Sequence, residues 1–228
     1  MATALDVSAG MGGDPAPYME SATIRKATSA DVPRFAAAMA RSFYDDPVAT
    51  WMMRDDAQRM RRLERGFTLF LERIYMRYDE CYTTDGVVGA DGVVGGAIWA
   101  PPGAWKLGPL AQLSLLPWMA AIGGRELPSV LRVLNFMESK HPHDRHYYTP
   151  YVGVEPESQG RGIGTALIRP ILERCDREGV AAYLEATTPR NRALYLRNGF
   201  EVVEELQVPK GGPPLWPMWR EPRERAEQ

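Results

Sequence analysis

Two stretches of this sequence combine residue types and spacing that could do chemistry. The first is a glycine loop, Gln159-Gly-Arg-Gly-Ile-Gly-Thr165. Gly160, Gly162 and Gly164 recur at every second position, where side chains would otherwise hold a ligand away from the backbone. The run before it, Tyr147 to Val154, is β-branched and aromatic without a charge, and it reads as a buried central strand. Pro156 stops that strand, since proline cannot donate to a ladder. Leu167, Ile168, Ile171, Leu172 and Cys175 then follow at helical spacing, and Gly179 closes the helix. Strand, glycine loop and helix N-terminus together make an anion site, because free N–H groups point outward and the helix dipole favours negative charge. A pyrophosphate fits such a site. The second stretch is Ala181 to Thr188, a strand that places Tyr183, Glu185 and Thr187 on one face by alternation. An ionised carboxylate inside a central strand is costly without a partner. Glu185 therefore either exchanges protons or pairs with an arginine such as Arg190 or Arg192.

Spacing narrows the choice of pyrophosphate. A P-loop needs Lys-Ser/Thr after its last glycine, and Thr165-Ala166 stands there instead. A dinucleotide fingerprint runs Gly-x-Gly-x-x-Gly with an acidic residue about 20 positions on. Glu185 lies near that distance, but the glycines run Gly-x-Gly-x-Gly.

Val154-x-Pro156-x-x-Gln159-Gly-Arg-Gly-Ile-Gly164 resembles the acyl-CoA signature of the GNAT family of N-acetyltransferases, in which a Gln or Arg stands three residues before Gly-x-Gly. Asn191-x-x-x-Tyr195-x-x-x-Gly199-Phe200 resembles a second family stretch and follows in the family's order, with a shorter gap between Asn and Tyr than many members have. The resemblance implies an α/β fold: a GNAT-type mixed, mostly antiparallel sheet with splayed parallel central strands flanked by helices. It implies acetyl-CoA as cosubstrate, no metal, and direct transfer to an amine. Carried over residue by residue, the Val152 N–H would bond the thioester carbonyl, and Val154 would hold the pantetheine arm through its backbone. The N–H groups of Gln159, Gly160, Arg161, Gly162, Ile163, Gly164 and Thr165 would hold the pyrophosphate, and Asn191 would meet the pantetheine. Tyr195 is the candidate general acid for the leaving sulfur. Glu185 is the candidate base, directly or through a water. In this family the region between the first two helices lines the acceptor pocket, which makes Tyr44, Asp45, Asp46 and Trp51, together with Tyr183, candidate substrate contacts. The competing account is a pair of capping aspartates with core aromatics.

A finer similarity, to puromycin N-acetyltransferase-like members, rests on Asp31-Val-Pro-Arg34, Thr149-x-Tyr-Val-Gly-Val154, Leu184-Glu185, Pro189-Arg-Asn191 and Val208-Pro209. It is loose over Trp105 to Met137, where an acceptor would be chosen. The implied activity is acetylation of a primary amine on a small molecule, such as an antibiotic, an aminonucleoside or another xenobiotic. A protein or peptide amine, and a catalytically silent CoA-binding module, are the alternatives.

The remaining elements must position these groups. The chain has 228 residues, enough for one domain with a sizeable core. Residues 1–20 read as a flexible leader, 21–220 as the domain, 104–138 as a helical insertion and 221–228 as a charged tail. A strand at Thr23–Ala27 leads into a helix with Val32, Phe35, Ala36, Met39 and Phe43 inward. A long helix is expected over Asp56–Tyr78, with its arginines as a solvated face. Strands at Cys81–Thr84 and Val93–Ala100 flank turn chemistry at Asp85–Gly92. The insertion reads as two helices parted by Gly123-Gly124 and Pro128, and it could wall the acceptor site or form a homodimer contact. Closing strands are expected at Glu201–Val208 and Leu215–Arg220.

The formal net charge of −2 gives no nucleic-acid footprint. Leu107 to Gly124 carries no charge over 18 residues, but it holds Pro109, Pro117 and three glycines and reads as a buried or substrate-covering segment, so no membrane partner is expected. Cys81 and Cys175 stand without CxxC spacing, and with no secretory signal a cytoplasmic setting is expected. His141-Pro-His143 and His146 lack a further ligand beyond Asp144, so they read as a polar loop before the strand rather than a metal site. With all three histidines in this one loop, a histidine-based triad is not expected elsewhere.

Overall fold

The computed structural model describes residues 23–53, 57–85 and 92–223. The leader, most of the charged tail and the tip of the expected hairpin turn lie outside the described residues. Eight strands follow in chain order: β1 (Thr23–Lys26), β2 (Cys81–Asp85), β3 (Gly95–Ala100), β4 (His146–Val154), β5 (Ala181–Ala186), β6 (Glu201–Val202), β7 (Leu206–Gln207) and β8 (Pro214–Arg220). They form one sheet in the order β1-β2-β3-β4-β5-β8-β6, with β7 also on β8. Every pairing is antiparallel except β4 with β5. This is the mixed, mostly antiparallel sheet that the resemblance implies.

The parallel pair is short. His146, Tyr147 and Tyr148 pair with Ala181, Ala182 and Tyr183, and the ladder ends there. Beyond that point β4 stays with β3 as far as Val154, while β5 stays with β8 as far as Ala186. Two strand edges thus face one another unpaired, and Val152, Val154 and Glu185 retain partial exposure in the middle of the sheet. A bulge in β4 accompanies the divergence. Ile98 pairs with Tyr151 and Ala100 with Tyr148, so three steps on β4 match two on β3. The extra residue reverses the alternation, so Tyr148 and Tyr151 turn to the same face although they are three apart.

Helices cover both faces. On one lies α6 (Ile163–Glu178), which buries Leu167, Ile168, Ile171 and Cys175 against Ala97, Trp99, Tyr147, Ala182 and Leu184. On the other lie α1 (Val32–Ser42) and α3 (Arg59–Phe70), whose Phe35, Ala36, Met39, Leu63 and Phe67 pack with Ile98. The short helix α2 (Pro47–Met52) bridges α1 and α3. After Phe70 the helix widens into a π turn, Leu71–Tyr75, and then tightens over Met76–Tyr78. That widening falls where Tyr75 meets the sheet beside Tyr148. The inserted helices are α4 (Pro109–Gly123) and α5 (Leu127–Lys140). They pack on the α3 side through Leu115 with Leu69 and Ile74, and through Val133 with Val48. The insertion therefore lies on the same face as α1 and α3. No helix among the described residues is long and apolar enough to cross a membrane. Cys81 and Cys175 are free buried thiols, each pushed by burial up to about 12.

Two expectations are corrected. The stretch Glu201–Val208 is not one strand but two two-residue pairings, with the Val203 N–H bonded to the Pro217 carbonyl between them. Pro214 and Pro217 in β8 have no N–H to give, so a continuous ladder cannot form there. The arginines of α3 are not uniformly a solvated face either. Arg59 is buried, donates to the Thr50 hydroxyl at 2.7 Å and to the Tyr44 carbonyl, and lies over the Tyr44 ring at 4.7 Å. Stacking on an aromatic face lets a guanidinium leave water at lower cost.

Candidate active site

The glycine loop follows β4 directly. After the single turn Pro156–Ser158 the backbone is extended at Gln159, left-handed at Gly160 (φ +81°) and left-handed again at Gly162 (φ +80°), where α6 begins. Those two glycines are required by backbone conformation. A side chain built on either would meet nothing within 4 Å, so both face open space. Gly164 is different, because a Cβ there would come within 3.2 Å of Leu194 and so limits how closely the next helix can approach. That helix, α7 (Pro189–Arg197), starts just beyond β5 with Thr188 as its cap, accepting from the Asn191 N–H at 3.1 Å. Asn198 ties the two helices by donating to the Thr165 hydroxyl at 3.4 Å.

The hydrogen-bond phase of β4 decides which backbone groups face the gap. The Glu155 N–H bonds the Val94 carbonyl, which makes Gly153 and Tyr151 the next residues to exchange bonds with β3. Val152 and Val154 consequently aim their N–H and carbonyl groups the other way, toward β5. The Val154 carbonyl is already used by the Gln159 side chain, which donates to it at 2.9 Å. Gln159 thus holds the start of the glycine loop against the strand. The N–H groups of Val152 and Val154 and the Val152 carbonyl line the gap, with the outward-facing loop at its end. These residues fit an extended arm ending in a diphosphate.

Across the gap stands Glu185, two residues past the last parallel pair. Its backbone is at the opening, but its side chain is only 3 % exposed. Tyr148 donates to Oε2 at 3.0 Å, while Oε1 has no hydrogen-bond partner. Burial pushes this carboxyl up to about 7, against the opposing pull of the Tyr148 and Tyr183 hydroxyls. Tyr183 lies close enough to favour the charged form, although its buried hydroxyl has no well-formed hydrogen bond. Tyr75, Tyr148 and Tyr151 complete an aromatic lining, all held above the usual phenol range by burial. The alternative of an arginine partner is not realised: Arg192 stacks over Trp216 at 4.9 Å, and Arg190 is exposed.

Two histidines join this group, against the expectation of a polar loop. His141 and His146 are buried, with His141 Nδ1 at 3.8 Å from Glu185 Oε1 and its ring stacked on Trp105 at 4.0 Å. The signal available in the sequence was their placement immediately before the central strand, within reach of the neighbouring strand's first residues. Without the parallel register of β4 and β5, that closeness could not be read.

The other candidates divide. Tyr195 is buried on α7, edge-on to Phe200 at 5.8 Å, and burial followed by the nearby Asp46 charge raises its phenol. Asp46 caps α2, accepting from Val48 N at 2.9 Å and Ala49 N at 3.0 Å, and it also accepts from the Thr187 hydroxyl. The capping account therefore describes Asp46, while Asp45 is exposed. Tyr44 is held under Arg59, and Trp51 packs with Val48 and Val208. Asp46→Ala is expected to destabilise the fold by about 1–2 kcal/mol, from the lost cap and the orphaned Thr187, as a urea midpoint would show.

Residues 128–202 match the family model of the acetyltransferase (GNAT) domain. The fold is that of the GNAT acetyltransferases. An uncharacterized N-acetyltransferase of Schizosaccharomyces pombe is 28 % identical over 218 residues, covering 90 % of this chain and 86 % of the relative. Among solved structures, the fold of a Corynebacterium glutamicum protein described as histone acetyltransferase HPA2 and related acetyltransferase superposes with a TM-score of 0.66. It is 24 % identical and covers 90 % of this chain and 99 % of its own. Arylalkylamine N-acetyltransferase 2 from Aedes aegypti gives a TM-score of 0.60 at 13 % identity, covering 89 % of this chain and 100 % of its own. The diverging strands, the glycine loop and Glu185 lie along one gap in the sheet.

Proposed function

We propose that this enzyme acetylates the primary amine of a small molecule, using acetyl-CoA by direct transfer. The observation that carries the reading is the meeting of unpaired backbone donors on β4 with a buried carboxyl on β5 at one gap. Acetyl-CoA would supply an activated acyl carbon, and the chain's own groups do the rest. Val152 and Val154 would align the arm, and the loop from Gln159 through Gly160, Arg161, Gly162, Ile163, Gly164 and Thr165 would hold the diphosphate, with Asn191 beside the arm. Glu185 takes the proton of the incoming ammonium, directly, through a water or through the Tyr148 hydroxyl that already donates to it. With its midpoint near neutrality it is ionised in part at pH 7 and keeps basicity, the compromise general-base catalysis favours. Tyr195 returns a proton to the departing sulfur.

The aromatic lining supports a small acceptor over a protein one. Tyr75, Tyr148, Tyr151 and Tyr183 surround Glu185, and aromatic faces with a carboxyl suit an organic cation. The Aedes aegypti relative acts on arylalkylamines by name, and the puromycin-like motifs add aminonucleosides to the range to be screened.

Calorimetric titration with acetyl-CoA, followed by thiol release across a panel of arylalkylamines, polyamines and aminonucleosides, tests the reading. Absence of acetyl-CoA binding by folded protein overturns it. Tyr195→Phe is expected to lower kcat by about 10²-fold with little change in acetyl-CoA affinity. Unchanged turnover across pH 6–9 would remove the acid role.

A further inference from the structure

The two buried histidines carry more than packing. His146 Nδ1 lies 2.6 Å from the Asp144 carbonyl, and a carbonyl can only accept, so this nitrogen bears the hydrogen. Burial keeps both rings neutral, His141 down to about 3 and His146 below its ordinary value. A neutral His146 protonated at Nδ1 has a bare Nε2. That atom is 3.0 Å from His141 Nε2, which must then be the donor. One tautomer follows from the other, and His141 Nδ1 is left as a bare acceptor 3.8 Å from Glu185 Oε1.

The carboxyl's own contacts complete the logic. With Tyr148 donating to Oε2, an ionised Glu185 would set the unpartnered Oε1 against a lone pair. A Glu185 protonated on Oε1 would satisfy both oxygens, once the 3.8 Å separation shortens by about 1 Å to hydrogen-bond length. We propose that His141 is the positioning residue of the base: its Nδ1 receives, as a hydrogen bond, the proton that Glu185 has taken from the substrate ammonium, and His146 fixes the tautomer that makes this possible. The inference rests on the reading of Glu185 as base. In the step itself the ammonium N–H bond breaks, Oε1–H forms, and the proton stays on Oε1 until water takes it after product leaves. Neither histidine becomes charged.

Other titratable groups also lie around the pair. Tyr75 comes from the turn after α3, Tyr148 and Tyr151 from β4, and Tyr183 from β5 itself; all stay protonated through neutral pH. Glu204 faces Tyr183 from beyond β6, and His143 faces His141 from the same loop. Lys106 stands over Trp105 at 5.9 Å and pairs with Glu138 on α5. The phenols can donate as well as accept, whereas the bare Nδ1 of His141 can only accept from Oε1.

The test reads titration directly. In protein labelled at the glutamate side-chain carboxyl carbon, with Glu185→Gln to assign the signal, the Glu185 midpoint should fall by about one pH unit in His141→Phe. The acid limb of kcat/KM should move down with it. An unmoved or raised midpoint overturns the proposal. Nitrogen chemical shifts of the wild-type imidazoles give a second measurement that needs no variant to fold. His141 protonated at Nε2 and His146 at Nδ1 are expected, and the reverse at His141 overturns the assignment. Full activity in Glu185→Gln would instead defeat the base reading while leaving the tautomers as they are.

Discussion

Glu185→Gln is expected to lower kcat for amine acetylation by about 10³-fold at pH 8, within the range that a positioned base contributes. The amide keeps the size of the side chain and can still accept from Tyr148, so acetyl-CoA affinity should hold and the loss should fall on kcat. The same substitution should stabilise the protein, and the sign follows from the raised midpoint. The unfolded carboxyl titrates near 4.5 and the folded one at about 7. Between these values the folded state keeps a proton that the unfolded state has lost, so wild-type stability declines as pH rises through this window. Below pH 4.5 no penalty exists; above pH 7 it is complete, at about 3 kcal/mol as an upper figure. Glutamine carries no such penalty. Melting curves should therefore show the variant above wild type at pH 8 and the two converging near pH 4.5. Equal stability at both pH values, with normal turnover, would remove Glu185 from the chemistry. A gain in stability joined to a loss of rate is the signature of a charge kept in the core for function.

How far the sequence reached this site is a matter of which forces are local. The glycine loop was legible because left-handed backbone at Gly160 and Gly162 is a local demand, and a helix N-terminus is a local anion site. Alternation along one strand put Tyr183, Glu185 and Thr187 together, and the structure keeps Tyr183 and Glu185 buried on that face. The insertion's two helices were bounded by their own glycines and prolines. What pattern alone could not supply was register. The bulge that turns Tyr148 and Tyr151 to one face is a single extra residue with no compositional mark. The end of the parallel ladder at Tyr148 opposite Tyr183 is set by neighbours on both sides of the sheet. His141 reaches Glu185 only because of these two facts, so a loop of three histidines looked merely polar. Asp46 illustrates the converse: its sequence context reads both as a substrate contact and as a cap, and it accepts from Val48 and Ala49 as a cap while the Thr187 hydroxyl ties it to the chain just past β5.

Gly96→Ala is expected to destabilise the fold by about 3 kcal/mol, although alanine is a mild change by composition. Gly96 lies in β3, opposite Gly153 of β4, where α1 crosses the sheet. A Cβ there would fall 2.0 Å from Phe35 Cε2, 2.2 Å from its Cζ and 2.8 Å from the Tyr82 carbonyl oxygen. Phe35 is fully buried among Ala36, Met39 and Ile98 and has nowhere to turn, and the carbonyl belongs to the β2–β3 ladder. Either the ring leaves its rotamer or α1 lifts from the sheet. Gly153 packs the same helix, since a Cβ there would meet Ser42 Oγ at 2.8 Å and Met39 Sδ at 2.9 Å. The two glycines together let α1 lie close on the β3–β4 half of the sheet, and that half carries the Val152 and Val154 edge of the gap. Phe35→Leu removes part of the ring that the new methyl would strike. Combined with Gly96→Ala it should therefore cost less than the sum of the single changes by about 1 kcal/mol, the mark of residues in contact. Urea midpoints for the three variants measure this directly. Strict additivity would show that α1 does not rest on Gly96 through Phe35, and would leave the close approach of helix and sheet without its cause.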